Sequence, residues 1–219
     1  MVCFTDHVDF NKNDYGYNYY NPEQFFCTYN ELCRDSGLDI YVGIEFSEPH
    51  LYKKELEMLK EYPYDFIIGS VHWIGDMFPC QKVREQYTAK DFYELYWKEI
   101  YECVLKGGFD CLGHIDFPKR YYGELYYNDK LIREIFRIML QKNIVLEINT
   151  SSLRKGLSIT MPGNELLEIY KDCGGNYITI GSDSHEVEDL ATNHEEAQKL
   201  ADKYELRTVI FKERKMIVV

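Results

Sequence analysis

The chain has 219 residues, 45% of them hydrophobic and 28% charged, with a formal net charge of −12 at pH 7. That length and balance predict one globular domain over residues 1–219 with a sizeable core, and the acidic charge argues against nucleic acid, whose phosphates recruit basic surfaces. No apolar run is long enough to span a bilayer and no basic-then-apolar leader opens the chain, so the expectation is a cytoplasmic protein without membrane contact.

The chain begins MVCFTDHVDF, in which residues 2–6 read as a strand with His7 at its carboxyl end. A helix is predicted over 22–36, where Phe25, Phe26, Tyr29, Leu32 and Cys33 recur at helical spacing, Pro22 suits the first turn and Gly37 the stop. Strand 40–46 (IYVGIEF) follows, then helix 51–62 with Tyr52, Leu56 and Leu59 on one face, and strand 65–71 (DFIIGSV). Beyond it come helix 90–106, strand 109–113, helix 128–142, strand 144–149, helix 163–172, strand 177–182, helix 187–203 and strand 208–211. Continuous apolar strands alternating with amphipathic helices predict a parallel sheet covered on both faces. Six or seven such units point to a closed α/β barrel; a Rossmann-type sheet is the alternative, but no G-x-G-x-x-G follows any strand. The seven cysteines (3, 27, 33, 80, 103, 111, 173) form no C-x-x-C pair and read as reduced, mostly buried thiols.

Chemistry-bearing residues collect at or just past the strands' carboxyl ends: His7, Glu45, His72, His114, Glu147 with Asn149, and Asp183 with His185. In an α/β barrel those ends share one face, where active sites are built. One histidine after a strand is more often a hydrogen-bonded loop residue than a ligand, but four of the chain's six fall at such ends. Histidines and carboxylates converging without paired cysteines suit a catalytic site for Zn, Mn or Fe, and Glu45 could bridge two ions. His50 and His194 lie outside the pattern and read as surface residues. Two basic loops, Lys119–Arg120 and Arg154–Lys155, follow strands 109–113 and 144–149 and predict an anionic substrate held by guanidinium forks.

The segments FTDH, GIE, GSVHW, GHIDFPKRY, LEINTSSLRKG and GSDSHEVEDL, in this order, closely resemble the histidinol-phosphate phosphatase branch of the polymerase-and-histidinol-phosphatase (PHP) superfamily. The resemblance implies a distorted TIM-like barrel of seven strand–helix units holding three metal ions, and hydrolysis of L-histidinol phosphate to L-histidinol and phosphate in histidine biosynthesis. It further implies that Glu45, His72 and His114 hold one metal, with Glu45 bridging to a second that Asp183 ligates, and that His7 and His185 hold the third. Arg120 and Arg154 match the positions that clamp the substrate phosphate, and Asp183 and His185 fall among the catalytic residues. In the family a strand ending in His-x-His and a helix come before the T-D-H strand; the sequence shows neither, which implies a barrel missing its first strand–helix unit and fewer bound ions. Strands 2–6 and 177–182 would then keep unpaired edges that invite a homodimer, unless the run 208–218 covers the gap. A related phosphoesterase for another small phosphate ester, and an inactive metal-binding homologue, are the competing readings.

Overall fold

Apolar runs buried on both sides become the strands of one sheet. They are β1 (Val2–Val8), β2 (Ile40–Ser47), β3 (Phe66–Ser70), β4 (Cys111–Leu112), β5 (Val145–Asn149), β6 (Tyr177–Gly181), β7 (Arg207–Lys212) and β8 (Lys215–Val218). The structure is a computed structural model that describes residues 1–219, except for the side chains of 34–36. The helices are α1 (Pro22–Ser36), α2 (Lys53–Leu59), α3 (Gln81–Arg84), α4 (Ala89–Lys106), α5 (Lys119–Tyr122), α6 (Asp129–Gln141), α7 (Ser151–Arg154), α8 (Asn164–Asp172) and α9 (His194–Lys203).

The strands lie side by side in sequence order, β1 to β8. Every pairing from β1 to β7 is parallel, and β8 returns antiparallel on β7. A doubly wound sheet would reverse its order partway, so this unbroken succession is barrel-like. Helix ends follow local chemistry: Asn21 caps α1 by accepting the Gln24 amide at 3.1 Å, and Gly37 closes it in the left-handed region at φ 64°. Thr88 and Asp91 form a reciprocal capping box at the start of α4. On α6, Ile132, Ile135, Phe136 and Met139 recur at helical spacing and are fully buried against the sheet.

Two apolar clusters result. The larger lies between the sheet and its helices, and the smaller, built from Phe66, Ile68, Cys111, Val145, Val209 and Phe211, fills the inner face of the strands. Among the described residues no ladder joins β1 to β6 or β7, and a cleft of about 1210 Å³ runs between them, lined by Phe4, His7, Ile68, Asp183, Val209 and Phe211 among others.

Several expectations are corrected here. Predicted helix 187–203 breaks into a short 3-10 turn (Val187–Asp189) and α9, because Ala191 and Asn193 both adopt φ 57°. Strand 109–113 contracts to the two residues of β4. Strand 177–182 is not a fully bare edge, since Tyr177 and Ile178 pair with Arg207 and Thr208 of β7. The run 208–218 therefore builds the hairpin β7–β8 beside β6 rather than lying against β1. Of the seven free cysteines only Cys103 and Cys111 are buried; Cys27 and Cys33 sit on the outer helix α1 and Cys3 on the edge strand β1. His50 is not a surface residue: its side chain is 3% exposed, and its Nε2 lies 2.7 Å from Glu99 of α4.

Candidate metal centre

The site follows from register and from the turns that leave each strand. In the β1–β2 ladder His7 sits beside Glu45, and Glu45 in turn pairs with Ile68 of β3. His72, His114 and Asp183 each lie two residues past their strands, β3, β4 and β6. A neighbouring carboxylate holds two of these turns. Glu48, at φ 49°, accepts the backbone N–H groups of His72 (2.7 Å) and Trp73 (3.1 Å), and Glu147 accepts that of His114 at 2.8 Å. Asp183 itself is held at φ 52°, a costly conformation for a residue with a Cβ.

Glu45, His72 and His114 are all buried and converge on one point. Glu45 Oε1 lies 3.0 Å from His114 Nε2 and 3.4 Å from His72 Nε2, and the two nitrogens are 3.2 Å apart. Ligands bound at 2.0–2.1 Å around a tetrahedral zinc are separated by ~3.3 Å. These three donors therefore already stand at the edge lengths of a cation's coordination shell, and one oxygen with two imidazole nitrogens is a donor set that divalent transition metals favour. The second oxygen of Glu45 points the other way, 3.6 Å from His7 Nε2. His7, Asp183 and His185 form a second, more open group whose donor atoms all lie within 4.8 Å of one another. Glu45 thus has one oxygen toward each group, and Asp183 joins His7 and His185 rather than standing apart from them.

Electrostatics agree with that division. Burial pushes the Glu45 carboxyl up, but His7, His114 and His72 together outweigh it and hold the group well below the carboxylate range. The carboxylate of Glu45 raises the His7 pKa, with burial opposing and Asp9 assisting. Burial and Glu45 raise the Asp183 pKa, and Arg120 and His114 together outweigh them, leaving it lowered. Glu147, by contrast, is pushed up to about 8 by burial, with Glu45 and Asp183 adding to the effect.

The basic loops divide. Arg120 reaches the site, donating through Nη2 to Asp183 (2.5 Å) and Ser151 (2.6 Å), and its buried Nε has no partner among the described residues. Arg154 also points there but donates to Thr192, to the carbonyls of Ser182 and Asp183, and to Asp189, so it braces the loop carrying Asp183. Lys119 is buried and turns to Asp116, 3.6 Å away. Lys155 is exposed as a residue; partial desolvation, followed by repulsion from Arg120, lowers its pKa. The sequence reading missed Glu48, Asp9, Ser47 and Ser151; only the acid in FSEPH, just past Glu45, offered any signal.

Comparison with known proteins gives one consistent picture. The family model described as the PHP domain matches residues 1–151. A protein of Clostridium acetobutylicum named a probable histidinol-phosphatase is 30% identical, over 98% of this chain and 86% of its own length. The histidinol-phosphatase of Lactococcus lactis subsp. lactis is 32% identical over 84% of this chain and 72% of its own. The crystal structure of the Lactococcus lactis histidinol phosphate phosphatase with zinc, L-histidinol and phosphate superposes with a TM-score of 0.77 at 24% identity, covering 98% of this chain and 86% of that one.

Proposed function

The chain belongs to the PHP-domain family, and from that premise we propose that it is a metal-dependent phosphomonoesterase hydrolysing L-histidinol phosphate to L-histidinol and inorganic phosphate. The observation that carries the reading is the spacing of Glu45, His72 and His114, three buried donors set 3.0–3.4 Å apart beside a buried arginine. Relatives that share this chain over most of its length are named for the same reaction. In the same reading residues 1–219 act as one catalytic domain, which the single sheet from β1 to β8 supports.

In this reading Glu45, His72 and His114 would hold one divalent ion and His7, Asp183 and His185 a second, and the donor set suits Zn, Mn or Fe. Bound ions would supply Lewis-acid polarisation of the phosphoryl group and a water that ionises near neutral pH. The protein's own contribution is positional. Glu45 stays anionic and faces both groups. Asp183 is fixed by Arg120 and Ser151. Arg120 and Arg154 place guanidinium charge beside the cleft mouth, where a phosphate dianion binds and where its charge is offset as the ester bond breaks.

Three finer parts of the reading stand with it. The sheet is read as a distorted TIM-like barrel that stays open between β1 and β6, where the cleft lies, and the third ion is one that the family resemblance implies. The free edge of β1 is a template for a homodimer. A biosynthetic role places the protein in the cytoplasm, and among the described residues no helix is long and apolar enough to cross a membrane.

The test is phosphate release from L-histidinol phosphate and a panel of other monoesters, with Zn or Mn added or chelated. Metal-dependent release that is strongest on L-histidinol phosphate is the expected result. Preference for a different ester moves the assignment to a related phosphoesterase, and bound metal without turnover on any ester makes the chain an inactive homologue.

A further inference from the structure

Two imidazoles of the centre share a partner that the proposed function leaves unused. The side chain of Ser47, at the end of β2, donates from Oγ to Asp9 Oδ1 at 2.5 Å and lies 3.0 Å from His72 Nδ1. His72 Nε2 is the atom that faces Glu45 and His114, so a lone pair on that nitrogen requires the proton to sit on Nδ1. The bonds then run one way: His72 Nδ1–H donates to Ser47 Oγ, and Ser47 donates to the Asp9 carboxylate. The other oxygen of Asp9, Oδ2, lies 3.6 Å from His7 Nδ1, while His7 Nε2 faces the far oxygen of Glu45. One carboxylate thus stands behind a ring from each of the two donor groups.

The arrangement is walled in. Ser47 is fully buried and Asp9 nearly so. The loop after β1 closes over the carboxylate so tightly that a Cβ at Gly16 would come within 2.6 Å of Asp9 Oδ2. Nothing comparable supports His114, whose buried Nδ1 has no partner among the described residues.

We propose that Asp9, acting through Ser47, is the positioning residue that sets the tautomer and ring orientation of His72 for metal binding, while its other oxygen, 3.6 Å from His7 Nδ1, stands behind His7 as an electrostatic partner. The inference rests on the metal centre proposed above. Losing such outer partners typically costs about 10–100-fold in metal affinity.

The test is zinc affinity of the full chain by chelator competition, for the parent and for Ser47→Ala, Asp9→Asn and Ser47→Thr, with the fold of each checked without metal. Affinity should fall about 10–100-fold in Ser47→Ala and Asp9→Asn and recover in Ser47→Thr, which restores a hydroxyl. A long-range proton–nitrogen NMR spectrum of the metal-free parent should show His72 protonated on Nδ1, and the Ser47→Ala spectrum should lose that preference. Variants that bind zinc within twofold of the parent, or a parent His72 protonated on Nε2, would overturn the relay while leaving the centre intact. A parent that takes up no zinc at all overturns the centre and the relay together. Should Ser47→Ala fail to fold, the parent spectrum decides alone.

Discussion

Glu147 shows what separates a ligand from a residue that shapes the ligands' surroundings. Both oxygens lie among carboxylates, yet one already accepts the His114 backbone N–H and the Asn149 side chain, and burial pushes the pKa up to about 8. In the metal-free protein the folded state therefore keeps a proton that the unfolded state releases near 4.5. The contribution of Glu147 to stability falls as pH rises between 4.5 and about 8, by at most about 1.4 kcal/mol per pH unit, and Glu48 and Asp116, pushed up by burial to about 7 and about 6, add to the same slope. Glu147→Gln should lessen that slope by Glu147's share, which urea unfolding of chelator-treated protein across the window measures; an unchanged slope would place the titration elsewhere. The strand-end histidines and carboxylates were legible because they sit where a parallel sheet presents side chains to one face. Glu48, Ser47, Asp9 and Ser151 were not, because their roles come from partners 24 to 38 residues away that only the finished fold brings close. Lys119 failed for the converse reason: a lysine beside an arginine reads as loop charge, and a buried aspartate three residues earlier claims it.

At the level of elements, legibility tracked local signals. Helix α1 matches its expected bounds of 22–36, for proline at its start and glycine beyond its end leave little choice. The break before α9 carried no such warning, since Ala191 is a residue rarely found at positive φ. Helix α6 is the clearest case of a pattern that becomes packing. Phe136 is fully buried and meets Tyr170 of α8 edge-on at 5.2 Å, coupling the helices that cover β4 to β6. Phe136→Ala should lower the unfolding free energy by about 3–5 kcal/mol through lost burial and a residual cavity. Because the ring lies in the outer cluster, away from the strand ends, zinc uptake by the folded fraction should be unchanged. Denaturant titration with metal analysis checks both halves.

The molecule as a whole is tied at the end of the sheet opposite the candidate centre. The β7–β8 hairpin turns through Glu213 and Arg214, both at positive φ (49° and 61°), as a two-residue hairpin loop demands. Neither residue is a glycine or asparagine, which is why the hairpin could not be read from the sequence. What holds this turn is long-range. The Glu213 and Arg214 amides donate to Asp65, ahead of β3, and the Arg214 guanidinium forks onto Asp110, ahead of β4, with Nη2–Oδ1 at 2.8 Å and Nε–Oδ2 at 3.0 Å. Asp110 also accepts the Ile67 amide, and Asp65 that of Val42, so the hairpin tip is fastened to the feet of β2, β3 and β4. Phe211, on β7 just before the tip, stacks on Phe66 at 5.1 Å within the inner cluster. A hairpin that starts beside β6 and ends beneath β3 and β4 spans the floor of the sheet and limits how far its two sides can separate. Removing the guanidinium leaves Asp110, which is almost buried, without its cation, so Arg214→Ala should lower the unfolding free energy by about 2–3 kcal/mol. Arg214→Lys should recover only part of that, because an ammonium cannot form the fork. Both variants should bind zinc like the parent, since the clasp and the donors occupy opposite ends of the strands. Equal stability in Arg214→Ala, or a zinc defect in either variant, would show that the floor does not act as an independent tie.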